Sequence, residues 1–374
     1  MIRPPTSDLY IGLMSGTSLD GVDGVLAACD TAGHMNILAY ADLPIPSDLR
    51  QTLLELNTPG PDEIDRMGRA ALALADTYAG LVGLLLKRSG LTAGDVRAIG
   101  AHGQTIRHRP DIGYTVQLNA PAHLAEATGI AVVADLRSRD VAAGGQGAPL
   151  VPAFHASLFG TEQTRVVLNL GGIANITLLE AGKPVTGFDT GPANLLLDLW
   201  CSRHTGQEYD ADGAFAASGN VDQPLLDYLV ASEPWFAGGP PKSTGRDLFN
   251  ALWLDPRLKA WKDNHGSLTP ADVQATLQRL TARTVADAVA AYAAADTEVW
   301  VCGGGARNSG LMRDLESCLQ KQVFPTDLMG LPVQQVEALA FAWLAARHVQ
   351  GLTANLPAVT GARGERILGA YYPA

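Results

Sequence analysis

The stretch Leu9-Tyr-Ile-Gly-Leu-Met-Ser-Gly-Thr-Ser-Leu-Asp-Gly-Val-Asp-Gly-Val-Leu-Ala-Ala28 decides the reading of the chain. An apolar run, Leu9 to Ser15, meets a Gly/Thr/Ser/Asp turn at 16–21, and a second apolar run, Val22 to Ala28, returns. Strand-like runs joined by such turn residues spell a hairpin, and Asn36 to Tyr40 could supply a third strand. The pattern recurs further on. Arg165 to Leu170 is a strand, Gly171-Gly172-Ile-Ala-Asn175 the turn, Ile176 to Leu179 the returning strand, and Pro184 to Phe188 a third.

Each hairpin is followed by helical periodicity and then by a buried strand. In the first half the helices span about Ser47–Asn57, with Ser47 as N-cap, and Asp62–Ser89; the strand Val96–Ala101 ends at His102-Gly103-Gln104-Thr105. In the second half the helices span about Pro192–His204 and Thr269–Ala295, and the strand Glu298–Cys302 runs into Gly303-Gly304-Gly305-Ala306. Two readings are open: coincidence within an ordinary α/β protein, or a duplicated βββαβαβα unit. The second predicts two lobes around a nucleotide cleft, with strand-end loops facing it. The expected lobes are 1–140 and 141–374, with the C-terminal segment packing back on the first.

Composition narrows the function. The 374 residues are 47% hydrophobic and 17% charged, enough for two cores. With 27 Lys+Arg against 38 Asp+Glu, the net charge of −11 argues against bulk binding of nucleic acid or an anionic membrane. The N-terminus lacks a signal-peptide pattern, and the apolar stretch Ala70–Leu86, interrupted by Asp76, reads as too short to cross a bilayer. Cys29, Cys201, Cys302 and Cys318 lie far apart and read as reduced core thiols. The expectation is a cytoplasmic protein.

No G-x-x-x-x-G-K-[ST], strand-linked G-x-G-x-x-G, H-E-x-x-H or G-x-S-x-G occurs. A nucleotide would therefore be held by another architecture. In the first turn, Gly16 and Gly21 would let backbone N–H groups approach phosphate; Thr17 and Ser18 add hydroxyls, and Asp20 and Asp23 could hold Mg²⁺. A plain hairpin turn explains the same residues. Gly303, Gly304 and Gly305 leave room for a flat adenine or ribose, or form a flexible loop. Asp189, at the end of an apolar strand before Thr190-Gly191-Pro192, suits a general base; the alternative is a helix cap. Glu337, in an apolar helix, is a second candidate or half of a buried ion pair. Arg137 or Arg139, beside Gly144-Gly-Gln-Gly147, could clamp a carboxylate or sit in a surface ion pair. His102 and Gln104 could face substrate or be structural.

The combination closely resembles the anhydro-N-acetylmuramic acid kinase family. The matching runs are GLMSGTSLDGVD (12–23), GAHGQTIRH (100–108), ADLRSRDVAAGGQGAPLVP (134–152), NLGGIANIT (169–177), GFDTGPAN (187–194), YDADGA (209–214), PPKSTGR (240–246), CGGGARN (302–308), EALAFAWLA (337–345) and NLPAVTGA (355–362). One departure is Asp247, where the family pattern has Glu.

The resemblance implies a duplicated actin-like (ribonuclease H-like) ATPase fold, of α/β class, and a homodimer. It implies conversion of 1,6-anhydro-N-acetylmuramic acid, ATP and water to N-acetylmuramic acid 6-phosphate and ADP, in murein recycling. It places Gly16, Thr17, Ser18, Leu19, Asp20, Gly21, Val22 and Asp23 at the ATP phosphates and makes Asp189 the base. Gly171, Gly172 and Asn175 form the second expected phosphate turn, and His102, Gln104 and Arg137 the expected substrate contacts. Two rivals remain at this stage: a kinase of an ordinary amino sugar with a free hydroxyl, and an ATPase switch of the actin or chaperone kind.

Overall fold

The computed structural model describes residues 7–16, 19, 21–160 and 162–374. In chain order the strands are β1 (Asp8–Ser15), β2 (Gly21–Cys29), β3 (Met35–Pro44), β4 (Val96–Ala101), β5 (Gln104–Arg109), β6 (Tyr114–Leu118), β7 (Val132–Ala134), β8 (Arg165–Leu170), β9 (Ile173–Leu179), β10 (Thr186–Pro192), β11 (Glu298–Cys302), β12 (Val323–Pro325) and β13 (Ala370–Tyr372). The helices are α1 (Ser47–Glu55), α2 (Glu63–Ser89), α3 (Pro121–Thr128), α4 (Ser138–Ala142), α5 (Val151–Phe159), α6 (Asn194–Thr205), α7 (Ala214–Ala217), α8 (Gln223–Ala231), α9 (Ala251–His265), α10 (Pro270–Tyr292), α11 (Ser309–Leu319), α12 (Val336–Val349) and α13 (Pro357–Thr360).

The chain forms two compact units, Met1–Gly160 with Gln334–Ala374, and Thr161–Val333. The first unit thus runs to Gly160 rather than stopping at 140, and the chain returns to it from Gln334. A buried carboxylate at the expected boundary ties the two segments of this unit together. Asp140 accepts from Asn355 Nδ2 at 2.7 Å and Thr360 Oγ1 at 2.8 Å, which holds α4 to the C-terminal segment.

The first unit is built on a six-stranded sheet in the order β13-β7-β4-β1-β2-β3. β1, β2 and β3 form an antiparallel meander, and β4 joins β1 in parallel. On one face, Leu9, Ile11 and Leu13 of β1 and Val22 and Leu26 of β2 pack with Leu74, Tyr78, Leu81 and Leu85 of α2. α2 matches the helix expected over about 62–89; its 27 residues are, by length and composition alone, apolar enough to cross a membrane. Its apolar stripe is buried in this core. The alternation of strand side chains turns Gly12 and Gly100 to the other face, against α12. A Cβ on Gly12 would lie 1.9 Å from Ala338 O, and one on Gly100 2.0 Å from Phe341 O. Only glycine permits that approach.

The second unit repeats the order in a five-stranded sheet, β10-β9-β8-β11-β12. β8, β9 and β10 are an antiparallel meander, and β11 joins β8 in parallel, followed by β12. Val166, Leu168, Ile176, Phe188, Val299 and Val301 pack with Val285 and Val289 of α10 and Leu311 and Leu315 of α11. Thr269 caps α10 through a reciprocal pair with Asp272, as the Thr-Pro-x-Asp run dictates. A separate cluster of α6, α8 and α9 residues centres on Trp200, Leu225, Phe249, Trp253 and Trp261.

Meander-then-parallel order, repeated in both units, is the duplicated ribonuclease H-like pattern of the actin-like ATPase fold. All four cysteines are free thiols.

Candidate active site

In the first unit, residues 16–20 join β1 to β2. Thr17, Ser18 and Asp20 lie outside the described residues. Leu19 N donates to Gly16 O at 3.3 Å, and Leu19 takes the left-handed conformation at φ +59° with its side chain buried. Gly21 answers to packing: a Cβ there would sit 2.9 Å from Leu43 O on the neighbouring strand. Val22 points into the core, so any ligand contact from it must be main-chain. Asp23 follows on β2 and accepts from Tyr40 Oη at 2.6 Å.

His102 follows β4 and Gln104 opens β5, and both reach Ser15 at the end of β1. Ser15 Oγ donates to Gln104 Oε1. His102 Nδ1 lies 3.2 Å from Ser15 O, while Arg137 Nε and Nη2 lie 3.2 and 3.0 Å from His102 Nε2. A guanidinium only donates and a carbonyl only accepts, so the imidazole must be neutral with its proton on Nδ1. Burial, followed by the charge of Arg137, lowers the His102 pKa to about 3, in agreement. Its ring also rests 4.8 Å from Phe341. His102 therefore reaches the site through Arg137, which it holds. Arg137 is further fixed by Nη1 donating to Gly147 O at 2.8 Å.

Gly147 N in turn donates to Asp140 Oδ2 at 2.8 Å. Asp140, with Asn355 and Thr360, thus supports Arg137 through Gly147, a role that local sequence does not reveal. The signal lay in the glycine cluster 144–147, where Gly144 and Gly147 take positive φ. Arg139 is exposed.

In the second unit, the Gly171-Gly172 turn is pinned by its carbonyls. Gly172 O accepts from Ala193 N at 2.9 Å and Leu195 N at 3.1 Å, and Gly171 O from Asn194 N at 3.1 Å. Asn175 belongs to β9 rather than to the turn and pairs in register with Asn169 on one side and Asp189 on the other. Its Oδ1 is buried and has no partner.

The three glycines after β11 divide by role. A Cβ on Gly303 would meet Asn169 Oδ1 at 2.4 Å, and one on Gly305 would meet Leu170 Cβ at 2.7 Å. Gly304 is exposed, with its nearest neighbour, Asn194 Nδ2, 3.9 Å from such a Cβ. Two of the three let the loop close on the hairpin, and only Gly304 offers open backbone to a flat ligand.

Asp189 lies inside β10, not at its end. The register shifts between Asp189 and Gly191, and the strand continues to Pro192, so the helix expected from Pro192 starts at Asn194. That removes the helix-cap reading, since α6 has no side-chain cap bond. The Asp189 carboxylate accepts from Thr244 N at 2.8 Å through Oδ2, and Asp189 N donates to Lys242 O at 3.2 Å. The loop 236–246, read from sequence as mobile or ligand-facing, is thus anchored on Asp189. Lys242 Nζ donates to Phe236 O at 3.3 Å and stands 4.2 Å from the Trp235 ring centroid. Burial lowers its pKa, and the Asp189 charge opposes that shift.

Glu337 occupies the first turn of α12, half-buried, where the helix dipole favours a carboxylate. It is not in the helix middle, so an apolar surrounding no longer demands a special role for it.

The fold and these loops define the class: an actin-like ATPase fold with glycine turns and a strand-borne carboxylate, the type on which sugar kinases are built. The family model described as anhydro-N-acetylmuramic acid kinase matches residues 8–374. The chain is similar to the anhydro-N-acetylmuramic acid kinase of Bordetella parapertussis, 65% identical over 366 residues, covering 98% of this chain and 96% of that one. It is 54% identical over 380 residues to that of Paraburkholderia xenovorans, covering both fully. Among solved structures, the activator of a 2-hydroxyisocaproyl-CoA dehydratase from Clostridium difficile with bound ADPNP covers 92% of this chain and 97% of its own at 14% identity and a TM-score of 0.46. The chain belongs to the anhydro-N-acetylmuramic acid kinase family. It is a phosphotransferase, a kinase of an amino sugar.

Proposed function

We propose that the enzyme converts 1,6-anhydro-N-acetylmuramic acid, ATP and water into N-acetylmuramic acid 6-phosphate and ADP, in the recycling of murein sugars. The observation that carries this reading is Asp189, a carboxylate oriented by the Thr244 amide on the strand beside the Gly171-Gly172 hairpin. In the anhydro sugar, O6 is bonded to the anomeric carbon and carries no proton, so an ordinary kinase base would have nothing to remove. Asp189 instead takes a proton from a water whose oxygen attacks the anomeric carbon. The C1–O6 bond breaks, O6 attacks the γ-phosphorus, and the β–γ bridging oxygen leaves with ADP.

In this reading Gly304 offers backbone to the nucleoside, and the turns at Gly16–Asp23 and Gly171-Gly172 bring main-chain N–H groups to the phosphates. Among the described residues no three His, Cys, Asp or Glu side chains converge. Mg²⁺ carried on nucleotide phosphates needs only one or two carboxylates, and Asp23 is a suitable oxygen donor, with Asp20 as its companion. Bound there, the ion would neutralise charge on the transferring phosphoryl. Arg137, held by His102 and Gly147, is the partner proposed for the lactyl carboxylate. The enzyme acts in the cytoplasm as a homodimer, as the family resemblance implies.

The test is mass spectrometry of products formed with Mg-ATP in ¹⁸O-labelled water, read before anomeric exchange. Label at the anomeric oxygen of a 6-phosphorylated sugar is expected. Unlabelled phosphosugar from a substrate with a free hydroxyl would replace this reading with that of an ordinary amino-sugar kinase, and ATP turnover indifferent to any sugar with that of an ATPase switch.

A further inference from the structure

The five-stranded sheet of the second unit carries a polar row on the face turned away from α10 and α11. Leu168, Ala174, Ile176 and Phe188 enter the core against those helices, so strand alternation turns Asn169, Asn175 and Asp189 to the opposite face. Register sets them side by side: Cys302 opposite Asn169, Asn169 opposite Asn175, and Asn175 opposite Asp189. The row lies just below the Gly171-Gly172 turn that joins β8 to β9.

Along this row the hydrogen bonds run out beside the carboxylate. Asn169 Oδ1 accepts from Cys302 Sγ at 3.7 Å. Asn175 Oδ1 is buried and, among the described residues, meets no donor. A buried acceptor left in that state is destabilising, so its presence calls for a donor that arrives with the reaction. Asp189 N donates outward to Lys242 O, so Asn175 and Asp189 face each other without exchanging main-chain bonds. In that arrangement paired side chains come closest, with Cβ atoms about 4.5–5.5 Å apart. An amide oxygen and a carboxylate only accept, so neither can satisfy the other. One water can serve both, because its two O–H groups reach oxygens about 4.5 Å apart through bonds of about 2.8 Å.

We propose that Asn175 is a catalytic residue that holds the nucleophilic water jointly with Asp189. One O–H donates to the carboxylate and the other to Asn175 Oδ1, which leaves a lone pair to meet the anomeric carbon. As the water oxygen bonds to C1, one proton passes to Asp189, and the other stays on the new anomeric hydroxyl, still donating to Asn175. The C1–O6 bond breaks, O6 takes the γ-phosphoryl, and ADP leaves. This rests on the water attack proposed above and adds the group that orients the water. Methanol, with a single O–H, can satisfy only one of the two acceptors, so the intact pair selects water.

The test is mass spectrometry of the products formed from 1,6-anhydro-N-acetylmuramic acid and Mg-ATP in water–methanol mixtures. It compares the full-length enzyme with Asn175→Leu and Asn175→Asp. Water attack yields the free 6-phosphorylated sugar, and methanol attack its methyl glycoside. Asn175→Leu should lower turnover about tenfold or more at an unchanged KM for ATP, and raise the share of methyl glycoside. Asn175→Asp keeps an acceptor and serves should the leucine variant fail to fold. Water should remain its main nucleophile, while the second carboxylate raises the pKa of Asp189 and moves the acid limb of the kcat profile to higher pH. An unchanged product ratio in a folded Asn175→Leu enzyme would overturn the proposal. So would a loss confined to KM for ATP, which would make Asn175 a phosphate contact, or a raised Mg²⁺ requirement at an unchanged ratio, which would make the pair a cation site. An acid limb that stays in place in Asn175→Asp would separate Asn175 from the base and overturn it as well. No turnover of the anhydro sugar by the wild type would overturn the substrate reading with it.

Discussion

In the first unit Gly12 and Gly100 lie inside β1 and β4, where the backbone of α12 comes against them. In the second, Gly303 and Gly305 lie just past β11, where a loop closes on the hairpin, and Gly304 between them stays open. One strand order therefore carries glycine for two purposes, helix-to-sheet approach in one unit and loop closure around an exposed backbone in the other. The units differ as well in titratable groups. The first buries His102, His108 and His155 in neutral form, whereas the second keeps a carboxylate, Asp189, on a strand.

The largest effect should come from the carboxylate. Asp189→Asn should lower turnover by roughly 10²–10⁴-fold, with ring opening and phosphorylation lost together in the product assay. Ring opening that survives without phosphate transfer would separate the two steps and refute a shared base. The glycines sharpen the contrast next. Gly100→Ala should cost about 1–3 kcal/mol or more in denaturant unfolding, because its Cβ meets main chain that cannot rotate away. Gly304→Ala should change stability by less than about 0.5 kcal/mol and raise KM for ATP. Equal stability losses at the two positions would erase the distinction.

The histidines come third. His102 and His155 each have a folded pKa of about 3 against an ordinary value of 6.5. The unfolded chain therefore binds protons first, and stability present above about pH 6.5 is lost as pH falls toward 3. Each contributes a slope of about 1.4 kcal/mol per pH unit inside that window. Thermal unfolding between pH 7.5 and 5 should show the fall, and His155→Leu should flatten it. An unchanged slope in that variant would mean His155 does not titrate on unfolding. The smallest effect is expected at Thr360→Val, which removes one of the donors to Asp140 and should cost about 1 kcal/mol in the same measurement.

Legibility followed locality. β8 and β11 are legible to the residue because apolar runs there are bounded by polar or glycine neighbours. The end of β10 is not legible, since Pro192 suits a helix start and nothing local announces the register shift that keeps the strand going. The ribbon β5–β6 is illegible because Gln-Thr-Ile-Arg-His-Arg has the polarity of a loop. Asp140 escaped for another reason: its partners lie 215 and 220 residues away, where no window of sequence can show them. Catalytic candidates such as Asp189 can be named from residue type, while the groups that hold them in place cannot.

The division of the chain into Met1–Gly160 with Gln334–Ala374 around a continuous Thr161–Val333 also sets an order of assembly at the ribosome. The second unit is complete as soon as its last residue emerges. The first must wait for α12 to cover Gly12 and Gly100, an interval of order ten seconds or more at about 5–20 residues per second. Until then its sheet presents an uncovered face, a natural target for a chaperone that recognises exposed apolar strands.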